Sequence, residues 1–323
     1  MADTQNNPKF TEDLSVDDIL SDPELAGLLT EETPQPAEPT PREPAPADKK
    51  KKTKRIVYYC LLTVFVGMFL FSACYLGWYM IQSASTAKTY TSMADPVASI
   101  RESVLASIAE EATNSDATGS GNSPGENNTD EGGILPEYRD VAAQNEDMVG
   151  WIRIDGAGVD YPVTQSPYEA NYYLTHDFNK KENRFGCIYA RENCNVFTPS
   201  DNVILYGHHM ADGSMFGSLE KYESKRFWED HQYIQFDTLY ERHTYQIIAV
   251  GKTSANIGQG FPYYEFINAD SEAEFNNYIN GIKGISFYNT GLSAEYGDML
   301  LTLVTCEYSL NNGRMIILAK RVA

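Results

Sequence analysis

Two residues near the end of the chain have the chemistry to attack a carbonyl and to stabilise what forms. In Asp298 to Arg321, reading DMLLTLVTCEYSLNNGRMIILAKR, a strand-forming run (Met299 to Val304) ends at Cys306. A polar turn with Asn311, Asn312 and Gly313 follows, and a second run (Arg314 to Ala319) returns. This is the pattern of a β-hairpin, and it puts a sulfur and a guanidinium on the same rim of a sheet. Two readings are open on the hairpin alone: cysteine chemistry, or a small buried hydrophobe beside a solvated edge charge. A second element, Asn202 to Met210 (NVILYGHHM), bears on the choice. Its apolar strand, Val203 to Tyr206, is broken by Gly207 and delivers His208 at the strand end. A thiol needs a base or a nearby cation to become a thiolate at neutral pH, and an imidazole can serve and later protonate a leaving amine. Cys306, His208 and Arg314 form such a set.

TLVTC ending at Cys306, Arg314 opening the next strand and YGHHM around His208 resemble the signature of the sortases, cysteine transpeptidases of Gram-positive surfaces. The phrases GWIRIDGAGVDYPV, YYLTHDFN and FNNYINGIKGISFY resemble class B in particular, and the likeness extends over about residues 135 to 323. It implies a mainly β fold: a closed barrel of about eight strands with peripheral helices, in which His208, Cys306 and Arg314 are catalytic. It implies no cofactor. The implied partners are surface proteins bearing a C-terminal sorting signal, cut after Thr, and an amine of a peptidoglycan precursor that receives them. Leu174, Tyr206 and Glu307 fall at positions that line the substrate groove in class B enzymes, and Thr305 is a candidate for orienting the substrate or the oxyanion. For these four a structural role and a direct contact both remain open. Three rival functions remain: a surface cysteine endopeptidase releasing its product to water, a pilin-polymerising sortase, and a non-catalytic tethered binding protein.

On an extended backbone the side chain of His209 points opposite to that of His208, so the base is assigned to His208. Tyr308 stands two residues after Cys306, so no carboxylate completes a triad there. Zinc is the other common use of His and Cys, but the CxxC and HExxH spacings that mark metal sites are absent, and no metal is expected. Of the remaining cysteines, Cys60 and Cys74 read as packing residues of an apolar segment. Cys187 and Cys194 could form a disulfide, although Cys187 reads as a strand-interior residue.

The elements that must position this chemistry lie at the end of a segmented chain of 323 residues with a formal net charge of -20. Residues 1–48 are rich in Pro, Glu and Asp and are read as disordered, with an amphipathic island around Phe10 to Leu20 that could form a short helix. A basic cluster, Lys49 to Arg55, then precedes an uncharged stretch from Ile56 to Ile81, longer than the ~20 residues that cross a hydrocarbon core. Positive charge on that flank predicts a cytoplasmic tail (1–55), a transmembrane helix (56–82) and an extracellular remainder. A stalk helix is expected from Asp95 to Ala112, with Val97, Ile100, Val104, Leu105 and Ile108 on one face, and a polar linker to Gly133. These make up segment 83–134, and 135–323 is the catalytic domain. The acidic ectodomain lacks the clustered Lys and Arg that nucleic acid would need.

In that domain, turn-bounded short strands are expected at about 150–154, 159–163, 186–190, 203–206, 233–236, 244–253, 299–305 and 315–321, with a short helix at about Glu137 to Asn145. Phe275, Tyr278, Ile279 and Ile282 show helical spacing within Asp270 to Ile282, after Ser271 as a cap.

Overall fold

A computed structural model describes residues 49–115 and 133–323. The tail read as disordered, its helical island and nearly all of the polar linker lie outside the described residues. The chain divides into two compact units, Met1–Leu70 and Phe71–Ala323.

The described part of the first unit is the opening of helix α1, which runs Lys49–Ser115. The basic cluster forms its first turns rather than the end of an irregular tail. Large apolar side chains, among them Leu61, Phe65 and Phe69, stand exposed along it. One stretch is long and apolar enough to cross a membrane, with a mean hydropathy of 2.1 over its most apolar window.

The second unit is built on a closed eight-stranded barrel in the order β1-β2-β3-β4-β7-β8-β6-β5. A 3₁₀ turn (Pro136–Tyr138) and the short α2 (Arg139–Ala142) replace the single helix expected there. The strands are β1 (Met148–Ile154), β2 (Val159–Thr164), β3 (Ile188–Ala190) and β4 (Asn202–Tyr206). After α3 (Lys225–Asp230) come β5 (Tyr233–Thr238) and β6 (Thr244–Ser254). Helix α4 (Glu272–Gly284), β7 (Leu300–Glu307) and β8 (Gly313–Arg321) complete it. Pairs β2–β3 and β4–β7 are parallel, and the others are antiparallel.

Strands β7 and β8 read as almost continuous apolar runs because both of their faces are covered. Leu301, Leu303, Met315 and Ile317 join the core that contains Trp151 and Ile188, while Leu300, Val304, Ile316 and Leu318 pack with α4. Helix α4 supplies Phe275, Tyr278, Ile279 and Ile282, as its spacing predicts, each contributing about 1.5–3 kcal/mol by burial. The Ser271 side chain caps it by accepting from the Glu274 N–H at 3.3 Å. Fully buried Asn202 ties β4 to β7: its Nδ2 donates to the Phe266 carbonyl at 3.0 Å and its Oδ1 accepts from Thr302 Oγ1 at 2.8 Å. With both groups of its amide paired, the strand that leads to His208 is fixed to the strand that carries Cys306.

The later part of α1 packs on this barrel. Of the face expected on Asp95 to Ala112, Val97 is buried, but Leu105 and Ile108 remain exposed. The buried stripe runs instead through Thr86, Tyr90, Met93, Val97 and Arg101, at spacings of three and four. Arg101 reaches a polar cluster in which the Tyr138 hydroxyl donates to Asp237 at 2.5 Å and Arg101 Nη2 lies 3.5 Å from the same carboxylate. Burial raises the Asp237 pKa, against the opposing pull of Tyr138 and Arg101.

Candidate active site

The β7–β8 register pairs Cys306 directly with Arg314, which places both on one rim of the barrel. On the other side of β7, the parallel register sets Tyr206 of β4 beside Val304, and the Gly207 N–H donates to the Val304 carbonyl at 3.1 Å. Two residues further along each strand bring His208 to the level of Cys306. The turn between β7 and β8 is closed by Glu307, whose carboxylate accepts from the Ser309 and Leu310 N–H groups at 2.9 and 3.2 Å.

His208, Cys306 and Arg314 line one groove of about 270 Å³, together with Leu174, Tyr206 and Thr305. The imidazole is held by a backbone carbonyl, with His208 Nε2 2.7 Å from Leu174 O. A carbonyl only accepts, so Nε2 carries the proton and Nδ1 is left for proton exchange. Cys306 and Arg314 are partly exposed, as a thiol and a guanidinium that meet a substrate must be. Arg314 Nη1 donates to the neighbouring Gly313 carbonyl at 2.8 Å, and the residue lines the groove. Thr305 is buried and its hydroxyl oxygen has no hydrogen-bond partner.

Glu307 does not line this groove. It borders two adjoining cavities, and its carboxylate is used by the turn. Its partial desolvation is outweighed by the Ser309 and Leu310 hydrogen bonds and by Lys252, which together hold its pKa below the usual value. His209 also lies outside the groove. Its Nδ1–H donates to the Cys306 carbonyl at 3.1 Å and its Nε2 lies 3.3 Å from Glu220.

Three groove residues escaped the sequence reading. Tyr189 pairs with Tyr206 across β3–β4 and their rings stack 5.5 Å apart. Asn171 accepts from the Tyr189 hydroxyl at 2.9 Å, and Tyr263 comes from the long connection between β6 and α4. Tyr189 was legible as the strand neighbour of a groove residue, whereas Asn171 and Tyr263 sit in loops without a periodic pattern. Burial raises the Tyr189 and Tyr263 phenols well above the ordinary value, so both are neutral walls at any working pH.

Cys187 and Cys194 are free thiols in separate core clusters, which is why no disulfide joins them. Burial pushes the Cys187 thiol up to about 12 and the Cys194 thiol to about 11, so neither competes as a nucleophile. Among the described residues no group of three or more His, Cys, Asp or Glu could hold a metal ion.

The sortase domain family matches residues 152–322. Sortase B of Staphylococcus aureus is 30% identical over 189 residues, covering 58% of this chain and 75% of that protein. Sortase B of Listeria monocytogenes is 34% identical over 194 residues, covering 59% of this chain and 76% of that protein. Among solved structures, sortase B from Bacillus anthracis in complex with AAEK1 is similar at a TM-score of 0.52 and 31% identity, over 58% of this chain and 85% of that one. The Staphylococcus aureus sortase B–substrate complex is similar at a TM-score of 0.53 and 30% identity, over 58% and 86%. Barrel, groove and sequence agree that this chain belongs to the sortase family, as a class B sortase.

Proposed function

We propose that this sortase, a cysteine transpeptidase of cell-surface proteins, cuts a C-terminal sorting signal after Thr and transfers the new carboxyl end to an amine of a peptidoglycan precursor. The observation that carries the reading is the single groove shared by His208, Cys306 and Arg314. The Cys306 thiolate forms a bond to the Thr carbonyl carbon, and the carbonyl electrons move onto oxygen. Arg314 donates to that oxyanion or to the adjoining backbone of the peptide. As the C–N bond breaks, His208 gives a proton to the departing nitrogen, and a thioester remains. An incoming amine then attacks the thioester and gives its proton to His208, while the sulfur leaves as thiolate. A transpeptidase differs from a peptidase only in this second nucleophile. Leu174, Tyr206 and Thr305 contact or orient the sorting peptide, and Glu307 shapes the turn that carries Cys306 and Arg314.

The test is a product assay with peptides of NPxTN, SPxTG and LPxTG types, with and without an amine acceptor. Transfer product that requires the acceptor supports the reading, whereas equal hydrolysis in both arms would make the protein a peptidase.

The tail is proposed to be cytoplasmic and the catalytic segment, 135–323, extracellular, on the strength of the basic cluster before Ile56. Protease added to intact, wall-stripped cells should digest that segment and spare the tail. Protection of the whole chain reverses the orientation.

A further inference from the structure

Helix α1 touches both loops that hold His208. The Tyr90 hydroxyl donates to the Gly186 carbonyl at 2.9 Å. Gly186 lies so close to the 173–174 backbone that a Cβ there would sit 2.8 Å from the Leu174 carbonyl oxygen. That same oxygen accepts from His208 Nε2. One turn earlier, Thr86 Oγ1 accepts from Asn183 Nδ2 at 3.2 Å, and the Asn183 N–H donates to the Thr175 carbonyl at 2.8 Å. The second loop, which follows His208, is held from the same helix. Ser83 donates to Asp212, whose other oxygen accepts from Ser214. The Tyr90 ring lies edge-on to Tyr161 at 5.4 Å, and the Tyr161 hydroxyl accepts from the Met215 N–H at 3.1 Å. Phe216 N–H in turn donates to the His208 carbonyl at 3.0 Å.

From this we infer that Ser83, Thr86 and Tyr90 are positioning residues for His208, so that the helix leading into the catalytic segment sets the geometry of proton transfer. The inference rests on His208 acting as the acid–base group. These three polar contacts sit at positions i, i+3 and i+7 of one helix face and end on the two loops that hold His208. Tyr90→Phe keeps the ring against Tyr161 and removes only the hydroxyl, so it probes that hydroxyl's links to Gly186 and the adjacent Cys187 thiol without opening a cavity.

The experiment is a double-mutant cycle on the full chain in detergent micelles, using turnover of a sorting peptide. Tyr90→Phe and Ser83→Ala are each made in the wild-type and His208→Ala backgrounds, and exposed Lys88→Ala serves as a control on the same helix. The expected result is that kcat falls about tenfold with KM within about twofold, since small misplacements of a catalytic group act on rate rather than binding. In the His208→Ala background the same changes should cost nothing further, and Lys88→Ala should match wild type. An equal loss in both backgrounds, a loss confined to KM, or no loss at all overturns the inference. Wild-type turnover by His208→Ala itself overturns the assignment of His208 as well, and so separates the two failures.

Discussion

Gly207 sits between the last residue of β4 and His208, where the chain passes through a space too small for a side chain. A Cβ placed there would lie 2.5 Å from Ile188 Cδ1 and 2.7 and 2.8 Å from two ring carbons of Phe216. Carbon atoms ordinarily approach to about 3.5–4.0 Å, so Gly207→Ala must push its neighbours, or itself, by about 1 Å. Ile188 and Phe216 are both fully buried, so the displacement is not absorbed by solvent-exposed chain. Overpacking of this kind costs about 1–3 kcal/mol, which in a domain of this size lowers Tm by about 2–4 °C per kcal/mol. The rate should suffer more than the stability, because a displacement of about 1 Å at a catalytic group can cost 10²-fold. Thermal melts and kcat/KM for a sorting peptide measure the two effects separately. Adding Ile188→Val removes the nearest clashing atom and should recover part of the lost rate. Full activity and an unchanged Tm in Gly207→Ala would refute the claim that this close approach fixes His208.

His208→Ala should lower kcat/KM by about 10² to 10⁴-fold, the usual worth of a general acid–base group, while His209→Ala, whose ring bonds the Cys306 carbonyl, pairs with Glu220 and packs edge-on against Tyr308, should stay within a few fold; reversed outcomes in a peptide assay exchange the roles. Arg314→Lys keeps the charge but loses the planar fork, and should cost about 10² to 10³-fold in kcat with an unchanged melting curve; near-wild-type turnover would remove Arg314 from the oxyanion. Glu307 has a folded pKa below its unfolded one, so the stability it adds to the β7–β8 turn is present above the usual carboxylate range and is lost as pH falls through the depressed value. Glu307→Gln should therefore be less stable at neutral pH and show a flatter Tm profile on the acid side; parallel profiles would contradict the role given to the turn.

The hairpin of β7 and β8 was legible because its apolar runs and its Asn311–Asn312–Gly313 turn specify both register and reversal, and with them the pairing of Cys306 with Arg314. The strand ending at His208 and the face of α4 were legible for the same reason: each is a periodic pattern bounded by a breaker or a cap. Sequence pattern alone did not show that β4 lies parallel to β7, since parallel neighbours are far apart in the chain and share no turn. Asn171, Leu174 and Tyr263 reach the groove on loops whose paths are set by tertiary contacts, and of these only Leu174 was named, through the family resemblance. The packing of α1 on the barrel was not legible because the apolar spacing that marked the helix began at Asp95, after Thr86, Tyr90 and Met93. Those residues are scattered among Ser, Thr and Lys, and the stripe that buries them carries polar anchors as well as apolar ones.

The central claim is that Cys306 carries the acyl group between two amines. Intact-mass measurement of the protein mixed with a sorting peptide tests it directly. The prediction is an adduct with the mass of the peptide's N-terminal fragment, mapped to Cys306, absent in Cys306→Ala, and discharged into a new amide when an amine acceptor is added. An adduct on another residue, or turnover by Cys306→Ala, would contradict the account.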